Sequence, residues 1–260
     1  MKQKWALILG ASSGFGAATA TIFAKNGYGI IGIHLDRRNR AKEVNSLLDN
    51  LRGFEVPVHF FNINAASSER RSEVLSQLQS ILLDTNGKIS FFLHSLAFGS
   101  LLPFINSQGK AAGRKHLDMT IDVMANSLVY WTQSLLNADL LDKTRIFAMT
   151  SSGTNAVWPS YGPVSAAKAA LGAHVRQLAV ELAPYEITVN AVLAGVTDTP
   201  ALRKIPDCEN LLKISKKKNP HRRLTTPQDV ANCIFALSSE KTYWMTGNVI
   251  SVDGGESICA

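Results

Sequence analysis

The chain has 260 residues, 46% of them hydrophobic, with a formal net charge of +7. That length and apolar content can build one large α/β core, and no run of about 18 apolar residues is present to span a membrane. The charge excess is local: residues 201–224 carry eight lysines and arginines against only Asp207 and Glu209, which suits an acidic partner or a solvated helix face.

Apolar runs alternate with helical patterns along the whole chain. "WALIL" (5–9) reads as a buried strand and runs straight into a glycine turn, so the charged start is not a signal peptide. A helix follows to Gly27, then a strand at 29–35, a helix near 40–52, a strand at 55–63 and a helix over 67–85. A fourth strand at 88–95 precedes a long helix over 115–138, and a fifth strand at 144–152 leads to a helix with Tyr161 just inside its start. A sixth strand (186–192), the basic segment, a helix begun by Thr226-Pro227 and a strand at 247–252 complete the pattern. Strands apolar on both faces and separated by helices predict a doubly wound parallel sheet of the Rossmann type, in one domain. The cysteines Cys208, Cys233 and Cys259 show no metal-ligand spacing and fit a reducing cytoplasm.

"GASSGFG" sets Gly10, Gly14 and Gly16 between the first strand and first helix. Gly10 permits the turn, while Gly14 and Gly16 leave room for a pyrophosphate at the helix N-terminus. Ser12 and Ser13 add hydroxyls, and Phe15 belongs to the same cofactor-binding turn. At the end of the second strand His34 stands where an acid would select NAD, and Asp36 is followed at once by Arg37 and Arg38. Two arginines suit the 2′-phosphate of NADPH; Asp36 leaves NADH open. Asn62 and Ile63 end the third strand, where an adenine would rest.

The glycine turn, "SYGPVSAAKAAL" and "MTGNVISVDGG" together resemble the short-chain dehydrogenase/reductase superfamily. Most members carry Tyr-x3-Lys, whereas here Tyr161 and Lys168 are separated by six residues and Val164 takes the usual tyrosine position. That spacing, with "LHSLAFG" at 93–99, is similar to the enoyl-acyl-carrier-protein reductases, in the NADPH-dependent branch that keeps the ordinary glycine turn. The resemblance implies Tyr161 as oxyanion donor, Lys168 on the nicotinamide ribose, Ser95 at the cofactor, and Val196 backbone with Thr199 on the carboxamide. Ser151 falls where carbonyl-reducing relatives keep a serine and where enoyl reductases keep a second tyrosine. Met124 occupies the helix position of the superfamily's asparagine, with Asn126 displaced from it.

Geometry agrees with the spacing. Seven helical residues return to nearly one face, roughly 10 Å along the axis. In a 2-enoyl thioester, hydride goes to the β-carbon while charge gathers on an oxygen two carbons away, so a displaced phenol fits. The resemblance further implies a homotetramer, a substrate lid over residues 200–224, and acyl-carrier protein or coenzyme A as carrier, with Arg203, Lys204 and Lys216–Lys218 as docking cations. A carbonyl reductase using Ser151 with Tyr161 is the alternative enzyme. An idle dinucleotide sensor is the alternative outside catalysis; the patch lacks the interleaved aromatics of a nucleic-acid binder.

Overall fold

The structure, a computed structural model, describes residues 3–259. Seven strands form one parallel sheet in the order β3-β2-β1-β4-β5-β6-β7. They are β1 (Lys4–Leu9), β2 (Gly29–His34), β3 (Val58–Asn62), β4 (Lys88–His94), β5 (Leu141–Thr150), β6 (Thr188–Ala194) and β7 (Val249–Val252). Alternation along β1 explains the two layers. Trp5, Leu7 and Leu9 join a core against α3 (Ser68–Asp84), α5 (Ser127–Asn137) and α6 (Gly162–Glu181), while Ala6 and Ile8 face α1 (Gly14–Lys25), α2 (Ala41–Arg52) and α8 (Pro227–Leu237). Phe23 of α1 stacks on Phe91 of β4 with ring centroids 3.9 Å apart, and each fully buried side chain of this kind contributes about 1.5–3 kcal/mol.

The sequence-based boundaries hold to within three residues, with two instructive differences. The long helix is α4 (Arg114–Ile121), a π-helical turn over 122–126, and α5. π-helical turns recur near functional sites, and this one presents Val123 and Met124 to Val164 and Ala167 of α6. The basic segment contains its own helix, α7 (Cys208–Lys218), with Leu212 and Ser215 buried and its lysines turned outward. Among the described residues, no helix is long and apolar enough to cross a membrane.

Candidate active site

The carboxyl ends of the strands converge on the glycine turn. Gly10 adopts φ +85°, and a Cβ there would stand 2.4 Å from the Ser95 carbonyl oxygen at the end of β4. Gly14 also has positive φ, +52°, and a Cβ on it would press Thr199 at 3.3 Å. Gly16 corrects the expectation of open room: a Cβ there would lie 2.0 Å from the Gly10 carbonyl oxygen, so this glycine seats helix against turn. Ser13 is the N-cap of α1, yet its side chain makes no capping hydrogen bond. The first N–H groups of α1 are therefore free for an anion. A turn without side-chain bulk beside an uncapped helix start fits a dinucleotide pyrophosphate.

At the adenosine end, Asp36 is held by three neighbours. His34 Nδ1 lies 2.9 Å and the Arg40 guanidinium 3.1 Å from its oxygens. Burial opposes its charge, but hydrogen bonds from Ser12 and His34 and the Arg40 charge keep its carboxyl below the ordinary range. Arg37 and Arg38 are exposed and form no ion pair among the described residues. Asn62 clamps the loop: its side chain accepts from the Asp36 N–H at 3.1 Å and donates to the Asp36 carbonyl at 3.0 Å. Ile63 joins the same strand end through its N–H to the His34 carbonyl, 2.8 Å.

A cavity of about 330 Å³ opens between this turn and residues 195–211. Ser95, Phe15, Tyr161, Lys168, Ser151 and Val164 all line it, so the sequence candidates from four separate segments meet in one place. Tyr161 is the N-cap of α6, one residue ahead of the helix proper, and corrects the expectation that it lies just inside. The preceding Ser160 sits at φ +61°, a conformation unfavourable for a residue with a Cβ, which aims the tyrosine inward. The Tyr161 hydroxyl donates to Ser151 Oγ at 3.3 Å, and the Gly153 N–H donates to the same oxygen at 3.2 Å. Ser151 thus accepts twice and keeps its own proton for a ligand oxygen. Burial pushes the Tyr161 phenol up, partly offset by Ser151.

Lys168 is 5% exposed. Its ammonium donates to the Met149 carbonyl at 2.6 Å and the Leu96 carbonyl at 3.4 Å. Burial pushes its pKa down to about 8. Val164, at the usual tyrosine position, presents an apolar wall with Met124 and Gly99, where a Cβ on Gly99 would meet the Met124 sulfur at 2.8 Å and Val164 at 3.0 Å. Asn126 is turned away and accepts from His174 Nε2 at 3.0 Å.

Several contacts were not readable beforehand. The Val196 N–H donates to Glu256 at 3.1 Å, which leaves the Val196 carbonyl for a carboxamide. Thr199 Oγ1 accepts from the Leu202 N–H at 3.2 Å and lies beside Gly14 through its methyl. Arg203, expected to dock a partner, is taken by Asp198 and Glu209. Trp158 donates its ring N–H to the Pro206 carbonyl at 3.0 Å and closes one wall. Trp158 stands beside Pro159, the one local hint of a turn; Glu256 had no local signal.

A family model described as enoyl-(acyl carrier protein) reductase matches residues 10–257. The chain belongs to this family. The enoyl-acyl-carrier-protein reductase (NADH) 1 of Rhizobium meliloti strain 1021 is 35% identical over 182 residues, 68% of this chain and 64% of that protein. The 3-oxoacyl-acyl-carrier-protein reductase FabG of Thermotoga maritima is 25% identical, covering 98% of both chains. A solved structure of the enoyl-acyl-carrier-protein reductase (NADH) of Aquifex aeolicus VF5 superposes with a TM-score of 0.84 at 24% identity, over 100% of this chain and 98% of the other. The fold of this reductase-family member is therefore the short-chain dehydrogenase/reductase fold, and it is an oxidoreductase for a nicotinamide dinucleotide.

Proposed function

We propose that the protein reduces the carbon–carbon double bond of a trans-2-enoyl thioester in fatty-acid synthesis, with NADPH as reductant. The observation that carries this reading is the exchange of Tyr161 and Val164. The only tyrosine hydroxyl lining the described cavity stands one turn before the usual position, and the usual position is an apolar wall.

A dinucleotide held by the glycine turn, Lys168, Val196 and Thr199 would supply the hydride that the β-carbon takes up. Tyr161 leaves Ser151 and donates to the thioester oxygen, a preorganised donor where negative charge develops. The Ser151 hydroxyl donates a second hydrogen bond to that oxygen. Lys168 binds the ribose hydroxyls, and its charge favours phenolate over phenol at Tyr161. The α-carbon then takes a proton from Tyr161 or from water. Leu202, Ile205 and Leu211, from the segment proposed as lid, line the cavity with apolar side chains that exclude water from this step. Ser12, Ser13 and Gly14 hold the pyrophosphate, and the Val196 carbonyl and Thr199 face the carboxamide.

For the cofactor, exposed Arg37 and Arg38 reach the 2′-phosphate while Asp36 is already neutralised by Arg40 and its hydrogen bonds. Asp36 also favours a second reading, NADH, the cofactor in the name of the Rhizobium relative. Lys204, Lys213 and Lys216–Lys218 form no ion pair among the described residues and supply the cationic face for an acidic acyl-carrier protein; Arg203 does not. A homotetramer accompanies this reading, with the free edge of β7 and exposed Trp244 as apolar surface for it.

The test is a purified assay with crotonyl-CoA and longer enoyl thioesters, run with NADPH and with NADH. Oxidation of the dinucleotide with an enoyl chain is expected, faster with NADPH. No oxidation with any enoyl chain, alongside turnover of ketones, would overturn the proposal.

A further inference from the structure

β7 runs straight into a turn over residues 253–256, which packs between the end of β6 and the end of α7. Asp253 is buried and accepts from the Gly255 N–H at 3.0 Å and the Ser257 N–H at 2.9 Å. Asn219, the C-cap of α7, donates its side chain to the Asp253 carbonyl at 2.9 Å. Gly254 and Gly255 have φ +61° and +84°, and Cβ atoms on them would press Asn219 at 3.1 Å and Pro220 at 3.2 Å. The turn held in this way aims half-buried Glu256 at two elements. Its carboxylate accepts from the Val196 N–H at 3.1 Å, at the end of β6, and from the Ser215 hydroxyl of α7. A Cβ on Gly195 would lie 3.0 Å from Glu256 Oε2, so that glycine admits the carboxylate to the backbone.

Burial pushes the Glu256 carboxyl up; the Val196 and Ser215 bonds oppose that, Asp253 adds to it, and the Lys218 charge opposes it. Burying a carboxylate is unfavourable unless hydrogen bonds answer it, and here both answering donors belong to the active-site wall. The Gly195–Val196 peptide is held at its carbonyl by Thr197 Oγ1, 2.9 Å away, and at its N–H by Glu256. Glycine gives the chain freedom at this point, and a fixed peptide plane limits the direction of the Val196 carbonyl one peptide further on. On α7, Ser215 follows Leu211 by four positions, one helical turn along the same face, and Leu211 lines the cavity. One side chain therefore joins the cavity wall contributed by α7 to the strand end at Val196.

We infer that Glu256 is a positioning residue for the nicotinamide end of the cofactor, and that through Ser215 it ties the segment proposed as lid to that end. The inference rests on the reading in which the Val196 carbonyl faces the carboxamide. Glu256 stands behind the cavity wall and acts through Val196.

The experiment is isothermal titration calorimetry of the whole chain with NADPH and with 2′-phospho-ADP-ribose, which lacks the nicotinamide. NADH and ADP-ribose replace them should wild type hold NADH more tightly. Wild type should bind the dinucleotide more tightly than the fragment. Glu256→Ala should weaken the dinucleotide about tenfold and leave the fragment within about twofold. Glu256→Gln keeps an acceptor for Val196 and a donor for Ser215, and should stay within about threefold of wild type. Ser215→Ala should lose about threefold, again for the dinucleotide alone, and add nothing to Glu256→Ala in the double variant. Should Glu256→Ala fail to fold, Ser215→Ala and Glu256→Gln carry the test. Equal losses for dinucleotide and fragment, or no loss for either, would overturn the inference. Tighter dinucleotide binding in Glu256→Ala would mean that the carboxylate competes with the carboxamide for the Val196 N–H, and would overturn it too. Wild type binding both ligands alike would overturn the Val196 contact beneath it. No enoyl substrate enters the titration, so a failure of the enoyl reading shows separately, in the turnover assay.

Discussion

Lys168 and Arg145 are two buried cations set at opposite ends of the same strand neighbourhood, and each faces backbone carbonyls instead of a carboxylate. Lys168 binds the carbonyl of Met149 on β5; Arg145 belongs to β5 itself, four residues earlier. Burial lowers the pKa of both. The difference lies in the proton. A lysine brought down to about 8 can lose its charge near neutral pH, so its burial creates a tunable group beside Tyr161. An arginine remains charged at any working pH, and here the charges of Glu240 and Glu186 act against the cost of its burial. One burial pattern thus yields a titratable group in the cavity at one end and a permanently charged structural cation at the other.

The largest effect that would sharpen this contrast is expected at the catalytic end. Lys168→Met should lower turnover by about 10³-fold, while Tm shifts by less than about 4 °C, as measured by steady-state kinetics and calorimetry. Turnover retained within tenfold would place Lys168 outside the chemistry. Tyr161→Phe should lower kcat by about 10²–10³-fold with dinucleotide affinity nearly unchanged. At the other end, Arg145→Met should express itself as lost stability, about 2–3 kcal/mol in a urea titration, because the Lys143 and Glu186 carbonyls lose their donor. A stability unchanged from wild type would mean those bonds contribute nothing and the two cations are not comparable.

The pH profile separates the pair more finely. The folded pKa of Lys168 lies below its ordinary value, so the charged form predominates below about 8 and is lost as pH rises through it. kcat/KM should therefore fall above about pH 8, and Lys168→Arg, which keeps its charge, should flatten that limb whatever its absolute rate. A limb that stays in place in Lys168→Arg would assign the titration to another group. The smallest effect concerns cofactor choice: Arg37→Ala with Arg38→Ala should raise the KM for NADPH about tenfold and leave that for NADH within twofold. Equal losses would make Asp36 the discriminator.

The parallel sheet and the glycine turn were legible because their signals are local, apolar runs of five or six residues and three glycines within seven positions. Tyr161, Lys168 and Ser151 were legible as candidates through spacing, and the cavity brings them together. What stayed hidden depends on residues far apart in the chain. Glu256 reaches Val196 across 60 positions, Lys168 reaches Leu96 across 72, and neither partner carries a pattern that names the other. Gly16 follows the same rule: in the sequence its missing side chain reads as space for a ligand, yet the Gly10 carbonyl fills that space. Arg203 reads as free charge in the sequence, although Asp198 and Glu209 stand within six residues of it on a turn whose shape composition does not disclose.

The most direct test of the central claim follows a labelled hydride. With the dinucleotide deuterated at the transferring position and a trans-2-enoyl thioester as substrate, NMR of the saturated product should show deuterium at the β-carbon and none at the α-carbon. Deuterium appearing only on a carbinol carbon when a 3-oxoacyl thioester is supplied, with the enoyl thioester returned unlabelled and unreduced, would contradict it.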